Sequence, residues 1–186
     1  IRMGLELMGG NQPSPAFREE ILRNIAELDQ LVDEILLASR LDAREADVGT
    51  VELVDLIGLA AEECARVDAE LDVTAVPEGL EVRGVAKLLR RALRNLLENA
   101  RRYSQGDITV VLQRHDGQAQ LSVLDRGPGV PPALRERIFE PFYRLPGASE
   151  RAGGVGLGLA LVRSIAQRHN GSVRCEDQPD GSGGAC

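Results

Sequence analysis

Tryptophan is absent from this 186-residue chain, and aromatic residues of all kinds make up only 3% of it. Any core must therefore be built from aliphatic side chains. Lysine is almost missing too: Lys87 stands alone, and arginine supplies the other basic groups. That skew reads as a bias of the coding genome rather than as a site. The net charge of −7 argues against non-specific nucleic-acid binding, which relies on a basic surface. Three cysteines, Cys64, Cys175 and Cys186, are scattered without CxxC spacing, so they are read as reduced structural thiols. No apolar run approaches the length of a membrane span, and neither a signal peptide nor an internal repeat is visible.

What is present is a globular composition, 43% hydrophobic and 27% charged, enough for two small domains or one domain with an appendage. In "SPAFREEILRNIAELDQLVDEILLASRLDAR", Ser14 reads as a helix N-cap and Pro15 as the first helical residue. Ile21, Ile25, Leu28, Val32 and Ile35 follow a 4-3-4-3 spacing, the seam of a helical bundle. Leu22, Leu31 and Leu36 widen it towards a four-helix arrangement. From Pro15 to Ala43 the helix is about 43 Å long. The preceding "MGLELMGGNQPS" reads as a helix end, a Gly-Gly break and a loop, hence the stub of a helical hairpin. The first residues, "IRMGLELMGG", and the last, "GSGGAC", both read as cuts through a longer protein.

After Asp47 the pattern changes. "VELVDLIGLAAEECARVDAE" predicts a short strand and an amphipathic helix, and "LDVTAV" and "LEVRG" predict strands. A helix is expected from about Val85 to Tyr103. "DITVVLQRH" and "AQLSVLD" predict a hairpin around "DGQ". "PPALRERIF" predicts a short helix, "YRLPGASERAGGVG" a glycine-rich loop, "LGLALVRSIAQRH" a helix and "SVRCE" a strand. Helices alternating with mostly antiparallel strands suggest an α+β sandwich with helices on one sheet face.

Three stretches carry chemistry. In "RRALRNLLENARRYS", Asn95, Asn99 and Arg102 share a narrow helical stripe, with Tyr103 at its edge. Asn is a poor helix former, and a merely solvated face would more naturally use Glu, Lys or Gln. In "LSVLDRGPGV", Asp125 ends an apolar strand ahead of Gly127 and Gly129, so it can accept a hydrogen bond from an exocyclic amine. Taken alone, a tight turn with a capping Asp explains that stretch. In "GGVGLGLALV", Gly154, Gly156 and Gly158 lead into a helix whose N-terminal N–H groups suit phosphate. The glycine spacing is not that of a Rossmann fingerprint, and no Gly-Lys-Ser/Thr of a Walker loop follows.

In order and combination these stretches resemble the catalytic half of bacterial sensor histidine kinases, whose Bergerat-type ATP-binding fold is shared with gyrase-like ATPases. "NLLENARRYS" matches the asparagine box, "DRGPGV" the first glycine box, "IFEPFYR" the phenylalanine box and "GGVGLGLALV" the second glycine box. "AELDQLVDEILLASRLDA" is similar to the second helix of the dimerisation and phosphotransfer domain. The resemblance implies an α/β sandwich with a mixed, mostly antiparallel sheet over residues 47–186. Residues 1–46 would form a truncated hairpin of a dimeric four-helix bundle.

It further implies ATP and Mg²⁺ as ligands, with Asn99 offering its carbonyl oxygen to the metal and Asn95 beside the triphosphate. Arg102 would neutralise phosphate, Tyr103 would line the pocket and Asp125 would read adenine beside Gly127 and Gly129. Arg144 would reach the terminal phosphate, and Gly154, Gly156, Leu157 and Gly158 would hold the lid and helix N-terminus. Phe139 and Phe142 would anchor the lid. The implied partners are a second copy of the chain and the receiver domain of a response regulator, with neither nucleic acid nor direct membrane contact. The implied setting is the cytoplasmic portion of an inner-membrane protein.

Two departures stand out. No phosphoacceptor histidine box is present, His115 and His169 being read as structural, and the family's closing strand is cut at "GSGGAC". Two rival readings are a gyrase- or mismatch-repair-like ATPase and a non-catalytic nucleotide-binding scaffold. The ATPases place a glutamate where this chain has Asn95, an amide that cannot activate water.

Overall fold

The computed structural model describes residues 14–42, 49–104, 106–145 and 155–178. Helix α1 (Pro15–Asp42) begins as its sequence predicts. The Ser14 hydroxyl accepts from the Phe17 N–H at 3.3 Å, and the Ser14 carbonyl from the Arg18 N–H at 3.1 Å. Strand β1 (Glu52–Asp55) leads directly into α2 (Leu56–Val67), because the Asp55 carboxylate caps the helix through the Ile57 N–H at 2.9 Å.

Strand β2 (Glu70–Asp72) is shorter than the expected "LDVTAV". Asp72 Oδ1 accepts from both the Thr74 N–H and the Thr74 hydroxyl, and this local turn ends the strand. Strand β3 (Glu81–Gly84) precedes α3 (Ala86–Tyr103), which spans the predicted range. Strands β4 (Thr109–His115) and β5 (Gln118–Leu124) form the predicted hairpin. Asp116 and Gly117 both have positive φ at its tip, as a two-residue turn of this hand requires.

Two expectations fail. "PPALRERIF" forms two 3₁₀ turns, Pro132–Leu134 and Arg137–Phe139, closed by i to i+3 bonds such as Leu134 N–H to Pro131 carbonyl. Pro131 and Pro132 stand at the start of the first turn, where a helix needs no donor, so they do not account for the break into two turns. "SVRCE" forms no strand; side chains tie this segment instead, with Arg174 on Glu176 and Asp177 on Arg135. Helix α4 (Gly158–Arg168) ends at His169 and Asn170, close to the predicted stop.

The strands form two sheets, antiparallel β1–β3 and mixed β2–β4–β5, in which β2 runs parallel and β5 antiparallel to β4. Val110 and Leu112 of β4, with Ile108 just before it, alternate onto one face and are fully buried. Leu56, Leu59 and Ala60 of α2 and Leu93, Leu97 and Ala100 of α3 cover that face. This core contains no aromatic side chain, as the composition requires. A second, smaller core joins Val85 and Leu88 to Leu161 and Ile165 of α4, with Ala92 and Leu37 of α1 packed against it.

Glu63 falls on the apolar stripe of α2 and is 2% exposed. Both its oxygens receive Arg94, Nε and Nη2 each at 2.9 Å, and Arg90 Nη1 adds a third bond at 3.1 Å. The hydrogen bond from Arg94 is the main cause that holds the Glu63 carboxyl below its usual value, against the opposing effect of burial. A charge-assisted clamp thus pins α2 to α3.

Candidate functional site

Helices α3 and α4 run antiparallel. Gly158, the first residue of α4, meets Asn95 in the middle of α3, while His169 at the other end meets Val85 just before α3. His169 Nε2 accepts from the Val85 N–H at 3.0 Å, and Nδ1 lies 2.8 Å from the Ile165 carbonyl, which it can only donate to. Both ring nitrogens are engaged by main chain, which bears out the structural reading of this histidine. His115 is exposed at the β4–β5 turn beside Asp116.

Asn95 is buried, and its Nδ2 donates to the Gly158 carbonyl at 3.2 Å. The stripe Leu88, Ala92, Asn95, Asn99 and Arg102 therefore changes character along α3. Its apolar first half is covered by α4, and Asn95 marks where α4 begins. Asn99 lies one helical turn further, about 6 Å along the axis, and Arg102 another turn beyond. Both sit past the N-terminus of α4, the end whose N–H groups carry partial positive charge. Among the described residues no side chain caps that terminus. Asn99 is half-buried; Arg102 and Tyr103 are exposed.

At the far end of α3, Asp125 follows β5 and is buried. Its Oδ1 accepts from the Gly127 N–H at 2.7 Å, and its carbonyl accepts from the Gln178 amide. A Cβ on Gly127 would lie 2.9 Å from the Tyr103 carbonyl oxygen, so glycine here serves the close approach of two protein segments. Gly129 has φ +72°, a left-handed conformation that glycine adopts without strain.

The lid-side residues are arranged in a chain of contacts. Gly156 has φ +80°, a Cβ there would lie 2.8 Å from the Tyr143 carbonyl oxygen, and its own carbonyl accepts from the Phe142 N–H at 2.9 Å. Leu157 is buried and its carbonyl starts α4 by accepting from Leu161. Gly158 has room for a Cβ, its nearest neighbour being Asn95 at 3.7 Å. Phe139 is buried as an anchor should be, whereas the Phe142 ring is 61% exposed and its φ is +64°. Phe142 thus makes its contact through its main chain while its ring stays exposed. Arg144 is half-buried, and Gly154 lies outside the described residues. The structure brings Asn95 to Gly158, Tyr103 to Gly127, and Phe142 to Gly156.

Sequence reasoning missed Glu63, Ser104 and Gln178, all buried polar residues that hold these segments together. Glu63 had a signal: it interrupts the apolar stripe Leu56, Leu59, Ala60, Cys64. Ser104 and Gln178 had none, because their partners lie far away in sequence.

Residues 84–186 match the family described as histidine kinase-, DNA gyrase B-, and HSP90-like ATPase. The signal transduction histidine-protein kinase/phosphatase MprB of Mycolicibacterium vanbaalenii is 38% identical over 169 residues, which span 88% of this chain and 34% of that protein. A solved structure titled mycobacterial sensor histidine kinase MprB superposes with a TM-score of 0.62 at 34% identity, covering 73% of this chain and 93% of that one. The Acinetobacter baumannii histidine kinase AdeS gives a TM-score of 0.78 over 99% of this chain and 88% of that one. At 22% identity, that likeness shows the fold alone. The chain spans 34% to 44% of the length of curated relatives it matches. With more than half of its residues inside the family match and the asparagine, phenylalanine and glycine boxes in their expected order, the chain belongs to the histidine kinase-, DNA gyrase B- and HSP90-like ATPases, among the sensor histidine kinases.

Proposed function

We propose that this domain binds ATP with Mg²⁺ and donates the γ-phosphoryl group to a histidine on a helix preceding α1. The imidazole nitrogen gains the phosphoryl group, ADP leaves, and the phosphoryl group then passes to an aspartate of a response regulator. The observation that carries this reading is the antiparallel docking of α4 on α3, which leaves Asn99 and Arg102 beyond a helix N-terminus that no described side chain caps. Triphosphate oxygens suit that terminus and the Arg102 guanidinium. Asp125, at the other end of the site, accepts from the adenine amine.

The donor set fits Mg²⁺ that arrives with the nucleotide. Among the described residues no three His, Cys, Asp or Glu side chains gather as a metal cage. One neutral amide oxygen from Asn99, completed by phosphate oxygens and water, matches a hard octahedral ion. When bound, Mg²⁺ supplies charge neutralisation on the phosphates. The chain's own residues position the nucleotide. Asn95 holds α4 in place, Arg144 reaches towards the terminal phosphate, and Gly156 and Gly158 lie at the helix N-terminus that faces it.

Asn95 favours a kinase over a hydrolase. Its amide donates to the Gly158 carbonyl, a contact that an ionised carboxylate would turn into repulsion. Dimerisation through α1 fits the exposure of Ile21, Leu22, Ile25, Leu28, Val32, Ile35 and Leu36. No helix among the described residues is long and apolar enough to cross a membrane. We place this domain on the cytoplasmic side of an inner-membrane receptor whose span lies elsewhere in the protein.

Calorimetry with MgATP tests the site. Asn99→Ala removes an oxygen ligand and is expected to lower Mg²⁺-dependent affinity about tenfold; Asp125→Ala is expected to lower adenine nucleotide affinity about thirtyfold, the scale of a lost hydrogen bond to a charged group. Normal affinity in both variants would overturn the assignment. Incubated with labelled ATP, the present chain should stay unlabelled, and stable label on His115 or His169 would contradict the proposed route.

A further inference from the structure

Ser104 ends α3 and is buried, although serine is a short polar residue that usually faces water. Its main chain and side chain do different things. The Ser104 N–H donates to the Ala100 carbonyl at 2.8 Å and closes the helix. The Ser104 hydroxyl oxygen accepts from two main-chain donors, the Gly106 N–H at 3.2 Å and the Arg126 N–H at 3.1 Å. Both lone pairs are thus spent on backbone, one of them 22 residues away in sequence.

The Arg126 N–H belongs to the residue next to Asp125. Around this bond the two segments are in close contact. The space a Gly127 Cβ would need is taken by the Tyr103 carbonyl oxygen at 2.9 Å. A Cβ on Gly106 would come within 3.1 Å of the Arg126 Cβ. The Asp125 carboxylate is in turn oriented by the Gly127 N–H at 2.7 Å. The end of the asparagine helix and the aspartate loop therefore form one clasp, and the Ser104 hydroxyl supplies a side-chain hydrogen bond across it.

We propose that Ser104 is a positioning residue for base recognition. It holds the 125–127 loop so that the Asp125 carboxylate stands ready for an exocyclic amine, in advance of nucleotide binding. Pre-organisation of this kind raises affinity by removing the ordering cost from the binding step. The inference rests on the nucleotide reading above and adds that base selectivity is set from the end of α3, by a group that does not touch the base.

The test is displacement of a fluorescent adenine nucleotide by ATP and by ITP, which carries an oxygen where ATP has the amine. Ser104→Ala is expected to weaken ATP about tenfold, the scale of a lost buried hydrogen bond, and ITP much less, so that the ATP-over-ITP preference falls. Ser104→Thr, which keeps the oxygen, restores the preference. Adding Ser104→Ala to Asp125→Ala should cost little more, because both act through one carboxylate. If Ser104→Ala does not fold, Ser104→Cys carries the same test, since sulfur is a poor acceptor and the preference must still fall. Equal losses for ATP and ITP, a parental preference in the variant, or full additivity with Asp125→Ala overturns the proposal. A parent chain that binds no adenine nucleotide overturns the nucleotide reading as well, whereas a parent that binds with an indifferent Ser104 overturns this inference alone.

Discussion

The helix of residues 15–42 and the domain of residues 49–178 use the same aliphatic residues to opposite ends. In the domain, apolar stripes are covered within the chain: Leu93 and Leu97 by the sheet, Leu88 by α4, and Leu59 by the main core. In α1, Leu37 packs against the domain, while Ile21, Ile25, Leu28, Val32 and Ile35 are 41% to 53% exposed at the 4-3-4-3 spacing of a bundle seam. A stripe of that length left open in water marks a surface made to be covered. The domain covers its apolar stripes within the described chain, whereas α1 leaves its seam open.

The largest effect is expected in the seam of α1. Leu28→Asp with Val32→Asp places charges in the seam and should weaken self-association roughly a thousandfold or more, by the cost of burying unpaired charge. MgATP affinity should not change. Light scattering beside calorimetry reads both, and a parent chain that stays monomeric at high concentration would remove the contrast.

Glu63→Gln attacks the domain's self-sufficiency. It leaves Arg94 and Arg90 facing an amide at a buried position, and should cost about 3 kcal/mol of stability, measured by denaturant unfolding. The pH dependence has a definite sign. Because the folded carboxyl sits below its usual value, its contribution is full above the usual glutamate range. It is lost as the pH falls from that range through the lower value of the folded state. The parent should therefore lose more stability than Glu63→Gln across that acid window.

The smallest effect is expected at Phe142. Its ring is exposed and its backbone is left-handed, so the side chain adds strain without burial. Phe142→Gly should raise thermal stability by about 0.5–1 kcal/mol or leave it level. A clear loss of stability would show that the ring has a partner in the protein.

Much of this was legible along the chain because it depends on short-range rules. The cap at Ser14, the Asp116-Gly117 turn and the limits of α3 each follow from residues within a turn of one another. The four boxes likewise lie in contiguous stretches. Other features were misjudged where a local preference met competition. Asp72 captured Thr74 and cut β2 short, i to i+3 bonds closed 3₁₀ turns where a helix was expected, and the 172–176 segment remained outside the sheets. Phe142 anchors through the bond from its N–H to the Gly156 carbonyl, a main-chain contact that its side-chain type does not announce.

What the sequence determined by itself is the set of parts: an aliphatic core, an amphipathic bundle helix, an asparagine stripe, an aspartate at a strand end and glycines before a helix. Periodicity and local hydrogen bonding encode these within a few residues. Only the tertiary structure decided how they meet. It set α4 antiparallel to α3 so that Asn95 closes on Gly158, fixed His169 on Val85, and carried Ser104 to Arg126. Those contacts join residues 22 to 84 positions apart, and hydrogen bonds at such separations leave no period or spacing in the chain, because their geometry exists only once the core has brought the segments together.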